Sequence, residues 1–203
     1  MKCKRLKLTR IITRIFGIAV CGLLLATSGL SQDAKPKDID ASAEQSPASW
    51  KEFNSKAGRF AIEFPGIPKE SAQPVGEFTL KIHQLRTSFE YSVMYADYPE
   101  WVSDKDTALA RKVLDNGLEG AVAAVKSKLL DVQEIALDNH PGRQYTERMP
   151  DGSILRGKTF LVGSRLYQIA ITTPKEEDAP DAARQFYLTT AKRFLDSFRL
   201  LPP

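Results

Sequence analysis

From Trp50 to Leu200 the chain switches between two hydrophobic periods, and each switch predicts a change of element. In "GRFAIEFPG", Phe60, Ile62 and Phe64 fall at every second position until Pro65-Gly66 stops the run. In "GEFTLKIHQLR", Phe78, Leu80 and Ile82 share one face, with Thr79, Lys81 and His83 on the other. "FEYSVMYADYP" continues the alternation through Phe89, Tyr91, Val93 and Tyr95. Period two with aromatic and β-branched residues between turn residues predicts strands. Between Ser103 and Leu130 the period lengthens, and Leu109, Val113, Leu118, Val122, Val125 and Leu129 line one helical face. "SDKD" before it offers a Ser or Asp cap and an acidic first turn. Gly117 and Gly120 each weaken a helix by about 1 kcal/mol relative to Ala. With Ala121 and Ala124 beside them, they predict close approach of this helix to a sheet.

Strands resume in "DVQEIAL", "RQYTERM", "SILRGKTFLV" and "RLYQIAIT", with "MPDGS" and "VGSR" as tight hairpin turns. "DAPDAARQFYLTTAKRFLDSF" then predicts a second helix, with Asp178 as cap and Pro180 in the first turn. Ala183, Phe186 or Tyr187, Thr190, Phe194 and Phe198 mark its inner face. Strands, long helix, strands, helix is the order of an α+β domain whose central, mostly antiparallel β-sheet is flanked by helices.

The N-terminal segment is a different polymer. Six basic residues, from Lys2 to Arg14, precede the apolar run "IFGIAVCGLLLA" and the small residues of "TSGLSQDA". That order is the layout of a secretory signal peptide, assigned to residues 1–31, with cleavage after Ser31 or Ser28. The apolar run is too short for a spanning helix, which needs about 20 residues. No stable membrane span is therefore expected after cleavage, and the protein is expected to be periplasmic or extracellular. Cys21 lies inside the apolar run and follows Val20, so a lipoprotein anchor is not the preferred reading. Residues 32–49, polar and carrying two prolines, read as a flexible linker, and residues 50–203 as one domain.

Charge changes meaning once the leader is set apart. The whole chain carries 29 basic and 25 acidic residues. Six of the basic ones lie in residues 1–31, which leaves 23 against 25 and removes any basic footprint for nucleic acid. Both cysteines, Cys3 and Cys21, also lie there, so the mature chain is expected to have no disulfide, thiolate metal site or cysteine nucleophile.

One stretch concentrates chemistry-bearing residues: "ALDNHPGRQY" places Asp138, His140, Arg143 and Tyr145 around Pro141-Gly142. Asp, Asn, Pro and Gly are turn formers, each for a backbone reason. His140 beside Pro141 reads as a solvated turn residue, because a catalytic histidine needs an orienting partner and a nucleophile. The stretch is expected to be a corner between strands. His83 is the other histidine, and two isolated histidines make no metal motif. "KEEDAPD" reads as a solvated run before a helix, and no phosphate-binding glycine loop is present. No catalytic, cofactor or metal residue is assigned.

Two features remain. Tyr98 and Trp101 lie between a strand and the long helix, where a large aromatic residue can anchor a partner, or Trp101 can fold back over the sheet edge. Arg143, Arg148, Arg156, Lys158 and Arg165 fall on neighbouring strands. If register brings Arg143, Arg156 and Arg165 to one face they form a shallow anion-binding surface; otherwise they are the wet face of a sheet, paired with acids such as Glu147 and Asp151.

The chain also resembles a known family. "W-x-x-F…G-x-F-x-x-x-F-P-x-x-P" (Trp50 to Pro68) is followed by "Y-x-V-x-Y-x-D-x-P" (Tyr91 to Pro99), "H-P-G-R-Q", "R-G-K-T-F-L-V-G-S-R-L-Y-Q-I" and "R-F-L-D-S-F-R-L". The combination resembles exported bacterial domains of the Mog1/PsbP-like fold over residues 50–200. The resemblance implies an α/β/α sandwich and non-enzymatic relatives: an extrinsic subunit of a photosynthetic complex in PsbP, a small-GTPase binder in Mog1. The resulting expectation is an exported non-catalytic module that associates with an envelope protein or complex. A small-ligand or anion-binding periplasmic protein is the first alternative. An enzyme acting through His140, Asp138 and Tyr145 is the second.

Overall fold

The computed structural model describes residues 49–202. The expected leader and all but the last residue of the expected linker lie outside the described residues. Among the described residues are ten strands and two helices: β1 (Lys51–Ser55), β2 (Phe60–Phe64), β3 (Lys69–Val75), β4 (Phe78–Arg86), β5 (Glu90–Asp97), α1 (Thr107–Val125), β6 (Lys128–Leu137), β7 (His140–Arg148), β8 (Ile154–Val162), β9 (Arg165–Thr173), α2 (Asp181–Asp196) and β10 (Arg199–Leu200). Seven of the strands form one sheet in the order β3-β4-β5-β9-β8-β7-β6, and β1-β2-β10 form a second, small one. Every pairing is antiparallel. Two meanders therefore join at β5 and β9, where Val93 lies opposite Ile169. The α+β class and the layered architecture are those read from the sequence.

Alternation along the strands builds two cores. On one face of the large sheet, Leu80, Ile82, Met94 and Leu161 pack with Val113 and Leu114 of α1, all buried. On the other, Tyr91, Val93, Ile169 and Ile171 pack with Phe60, Ile62 and Phe64 of the small sheet and Phe194 of α2. Phe194 sets its ring edge-on to Phe64 and Tyr91, at centroid separations of 5.2 and 5.1 Å. A fully buried phenylalanine of this kind contributes about 3–5 kcal/mol against truncation to Ala. The outer layers are thus α1 on one side and α2 with the small sheet on the other.

The Asp cap expected in "SDKD" is Asp106, its Oδ1 accepting from Leu109 N at 3.0 Å, whereas the expected acidic first turn is corrected, since that turn carries no acidic residue. The helix ends at Val125, where Lys126 takes the left-handed conformation (φ 55°) that stops it. Leu129 consequently belongs to β6, an edge strand, and not to the helix face. Gly117 and Gly120 are buried, as close packing of α1 requires. The second helix has Pro180 as its cap residue, with no side-chain cap, and Asp181 in its first turn. β1, β3 and β10 carry no hydrophobic period that predicts a strand. β1 and β2 cover the far half of β4, so His83 is buried (4% exposed) while Thr79 and Lys81 stay wet.

Candidate functional site

The connection from β5 to α1 is a loop pinned along its length. Tyr98 N donates to Ser164 O at 2.8 Å, Val102 N to Pro99 O at 2.8 Å, and Asp104 N to Gly163 O at 3.1 Å. Tyr98 packs its ring against Phe78 at 5.4 Å, and Val102 is completely buried. Trp101, between these two inward residues, is turned out and 56% exposed. The expectation that Tyr98 meets a partner is corrected by its burial: among the described residues its hydroxyl has no hydrogen-bond partner, and loss of solvation pushes its pKa up. Trp101 does not fold back as a lid over the sheet edge.

Asp104 ties the loop to two hairpins. Its Oδ2 accepts from Gly163 N at 2.9 Å, in the β8–β9 turn, and from His140 Nδ1, at the start of β7. The carboxylate is nearly buried, and the imidazole is partly covered. His140 is therefore a paired, partly covered residue and not a free turn residue. Its partner lies 36 positions away in sequence, which is why local reading could not supply it.

The "ALDNHPGRQY" stretch is a corner, but the turn falls elsewhere than expected. Asp138 and Asn139 both adopt positive φ, 47° and 68°, as a two-residue hairpin with the favoured twist requires. Leu137 faces His140 across the turn, and Pro141-Gly142 already lie inside β7. At Gly142 any Cβ would stand 2.5 Å from Phe160 Cδ1 and from Thr159 O, which excludes a side chain there. Tyr145 is fully buried and accepts from Gln168 Nε2 at 2.7 Å. His140 and Tyr145, five residues apart on a strand, point to opposite faces and form no joint site.

The arginines do not assemble either. Register sets Arg143 opposite Thr159, while Arg156 lies opposite Thr146 and Ile171, so these two project from opposite faces. Arg143 donates to Asp115 at 2.9 Å and pairs with Glu134. Arg156 pairs with Glu176 at 2.8 Å. Arg165 grips Asp97 through two bonds of 2.6 and 2.9 Å, and its third nitrogen donates to Ala57 O. Each guanidinium is committed to a carboxylate, and the anion-binding surface is corrected to a set of separate ion pairs. Between α2 and β6–β8 two shallow hollows of about 280 and 360 Å³ adjoin. Lys158 and Asp196, ion-paired at 2.6 Å, line both of them. Among the described residues no set of three His, Cys, Asp or Glu side chains gathers as metal ligands. No helix among them is long and apolar enough to cross a membrane.

No family model matches the chain, and no curated protein matches it. Solved structures do. The solution structure of cyanobacterial PsbP from Synechocystis sp. PCC 6803 superposes with a TM-score of 0.51 at 13% identity, covering 80% of this chain and 98% of the other. A Pseudomonas aeruginosa protein of unknown function aligns over 76% of this chain and 97% of its own, at 16% identity and a TM-score of 0.38. The fold is PsbP-like, in agreement with the resemblance read from the motifs.

Proposed function

We propose that this protein is an exported, non-catalytic accessory module that docks on another envelope protein through the end of the sheet bearing Trp101. The observation that carries the reading is a tryptophan held outward by buried neighbours on both sides. Such a side chain brings large contact area at little entropic cost, because the backbone beneath it is already fixed. The PsbP-like fold and the basic-apolar-small leader support the reading, and the linker would give the module reach. Affinity capture of the mature protein from its own envelope fraction tests it. A partner retained by the wild type and lost with Trp101→Ala is the expected result; equal retention by both would overturn it.

One observation favours a second reading. The Asp104–His140 pair resembles the orienting half of an acid–base site, with a carboxylate on Nδ1 that leaves Nε2 as the other nitrogen. Among the described residues no hydroxyl is hydrogen-bonded to that Nε2. An enzyme built on this pair would lose turnover with His140→Gln while keeping its fold.

A further inference from the structure

Three segments meet at the Trp101 end: the loop from Asp97 to Asp106, the turn at Asp138-Asn139 and the turn at Gly163-Ser164. Their charges are unequal. Asp97 is neutralised by Arg165, and Asp104 faces inward to His140 and Gly163 N. Glu100, Asp106 and Asp138 are exposed, and among the described residues none of the three has an ion-pair partner. Asp106 caps α1, so the positive helix terminus offsets part of its charge. Glu100 and Asp138 have no such offset, and Lys105 is the one exposed cation in the same segments. The exposed indole thus belongs to a group of linked segments whose unpaired surface charge is mainly acidic.

We propose that the segment recognised by Trp101 is basic: a lysine or arginine of the partner protein lies on the indole face while Glu100 and Asp138 draw in its neighbouring positive charges. This rests on the reading of Trp101 as the docking anchor and adds the chemistry of its partner. An indole is the best aromatic acceptor for a side-chain cation, within about 6 Å of the ring. Carboxylates around it speed encounter and exclude acidic competitors. A hydrophobic or acidic peptide would leave Glu100 and Asp138 desolvated without compensation.

The probes are two blocked nonapeptides, one alternating Ala with Lys and Arg, the other alternating Ala with Glu. The readout is the indole N–H resonance of Trp101, assigned by its disappearance in Trp101→Phe. The basic peptide shifts that resonance, and the acidic one does not. The shift fades as salt rises from about 50 mM to about 500 mM, where the screening length falls several-fold. Glu100→Gln combined with Asp138→Asn weakens binding several-fold, and Trp101→Ala by about tenfold or more. An equal shift by the acidic peptide, no shift by the basic one, or a salt-insensitive shift overturns the proposal. A photo-crosslinker at position 100 separates this from failure of the docking reading. A Trp101-dependent adduct to a non-basic segment sinks only the chemistry, whereas an adduct indifferent to Trp101→Ala sinks both.

Discussion

His140 and Asp104 face each other across the end of the sheet, and the same carboxylate oxygen that accepts from the imidazole also accepts from Gly163 N. One carboxylate oxygen thereby joins the β5–α1 loop, the β6–β7 hairpin and the β8–β9 hairpin. Hydrogen bonds to an ionised group contribute about 1.5–3 kcal/mol each. Asp104→Ala should therefore destabilise by about 2–4 kcal/mol in urea unfolding, since it orphans two donors. His140→Ala should cost less, because Gly163 N keeps its acceptor. Equal small losses for both would mean that the oxygen is not shared in solution.

Gly157 lies under the ring of Tyr145, where an added Cβ would stand 2.4 Å from Cζ and 2.5 Å from the hydroxyl oxygen. Gly157→Ala should displace the ring and break its bond from Gln168, with a loss of about 2–4 kcal/mol measured in denaturant. Tyr145→Phe should cost only about 1–2 kcal/mol, mainly the unsatisfied Gln168 amide. A stability in Gly157→Ala equal to the wild type would contradict this packing.

Glu147 is buried on β7, bonded by Ser127 Oγ at 2.6 Å, and burial raises its pKa above the ordinary carboxylate value despite that bond. A group whose folded pKa is raised stabilises the fold below its unfolded pKa and loses that contribution as pH climbs through the folded value. Glu147→Gln should accordingly be more stable than the wild type at pH 7, with the advantage vanishing near pH 4. Thermal unfolding at the two pH values measures it.

His83 runs the other way. It is enclosed by Phe53, Phe60 and Tyr95, its Nδ1 has no hydrogen bond among the described residues, and burial depresses its pKa below 6.5, with the Glu70 carboxylate 3.6 Å from Nδ1 opposing more weakly. A depressed pKa gives stability that is present above 6.5 and lost as pH falls through the folded value. His83→Phe should remove the part of the acid destabilisation that begins below about pH 6.5, leaving the carboxylate part. Amide exchange in β1 and β2, which cover His83, should rise first in the wild type as pH falls.

Much of this was legible in the sequence because strands with one buried face write their period into the chain. Phe78, Leu80, Ile82 and Tyr91, Val93, Tyr95 are such records. β3 left none: it is an edge strand with five of its seven residues exposed, so no alternation is selected. β1 and the two-residue β10 pack mainly through Phe53 and Leu200, too little to show a period. The stop of α1 is not legible in the sequence because Lys126, not glycine, adopts the left-handed cap. Tyr98 and Trp101 looked alike as loop aromatics; only the bonds of Tyr98 to Ser164 and of Asp104 to Gly163 decide which one faces out. The faces of Arg143 and Arg156 follow from the residue-by-residue pairing of β7 with β8, which an expected turn alone does not set, and the Asp104–His140 pair joins residues no local pattern connects.

The central claim is that the Trp101 end is where this protein meets its partner. A photo-crosslinking residue at Glu100 in the native envelope, with another at Leu129 on the β6 edge as control, tests it directly. The account predicts a discrete adduct from position 100 that Trp101→Ala abolishes, while thermal stability is unchanged and position 129 stays unlinked. An adduct from position 129 alone, or from position 100 regardless of Trp101, would contradict it.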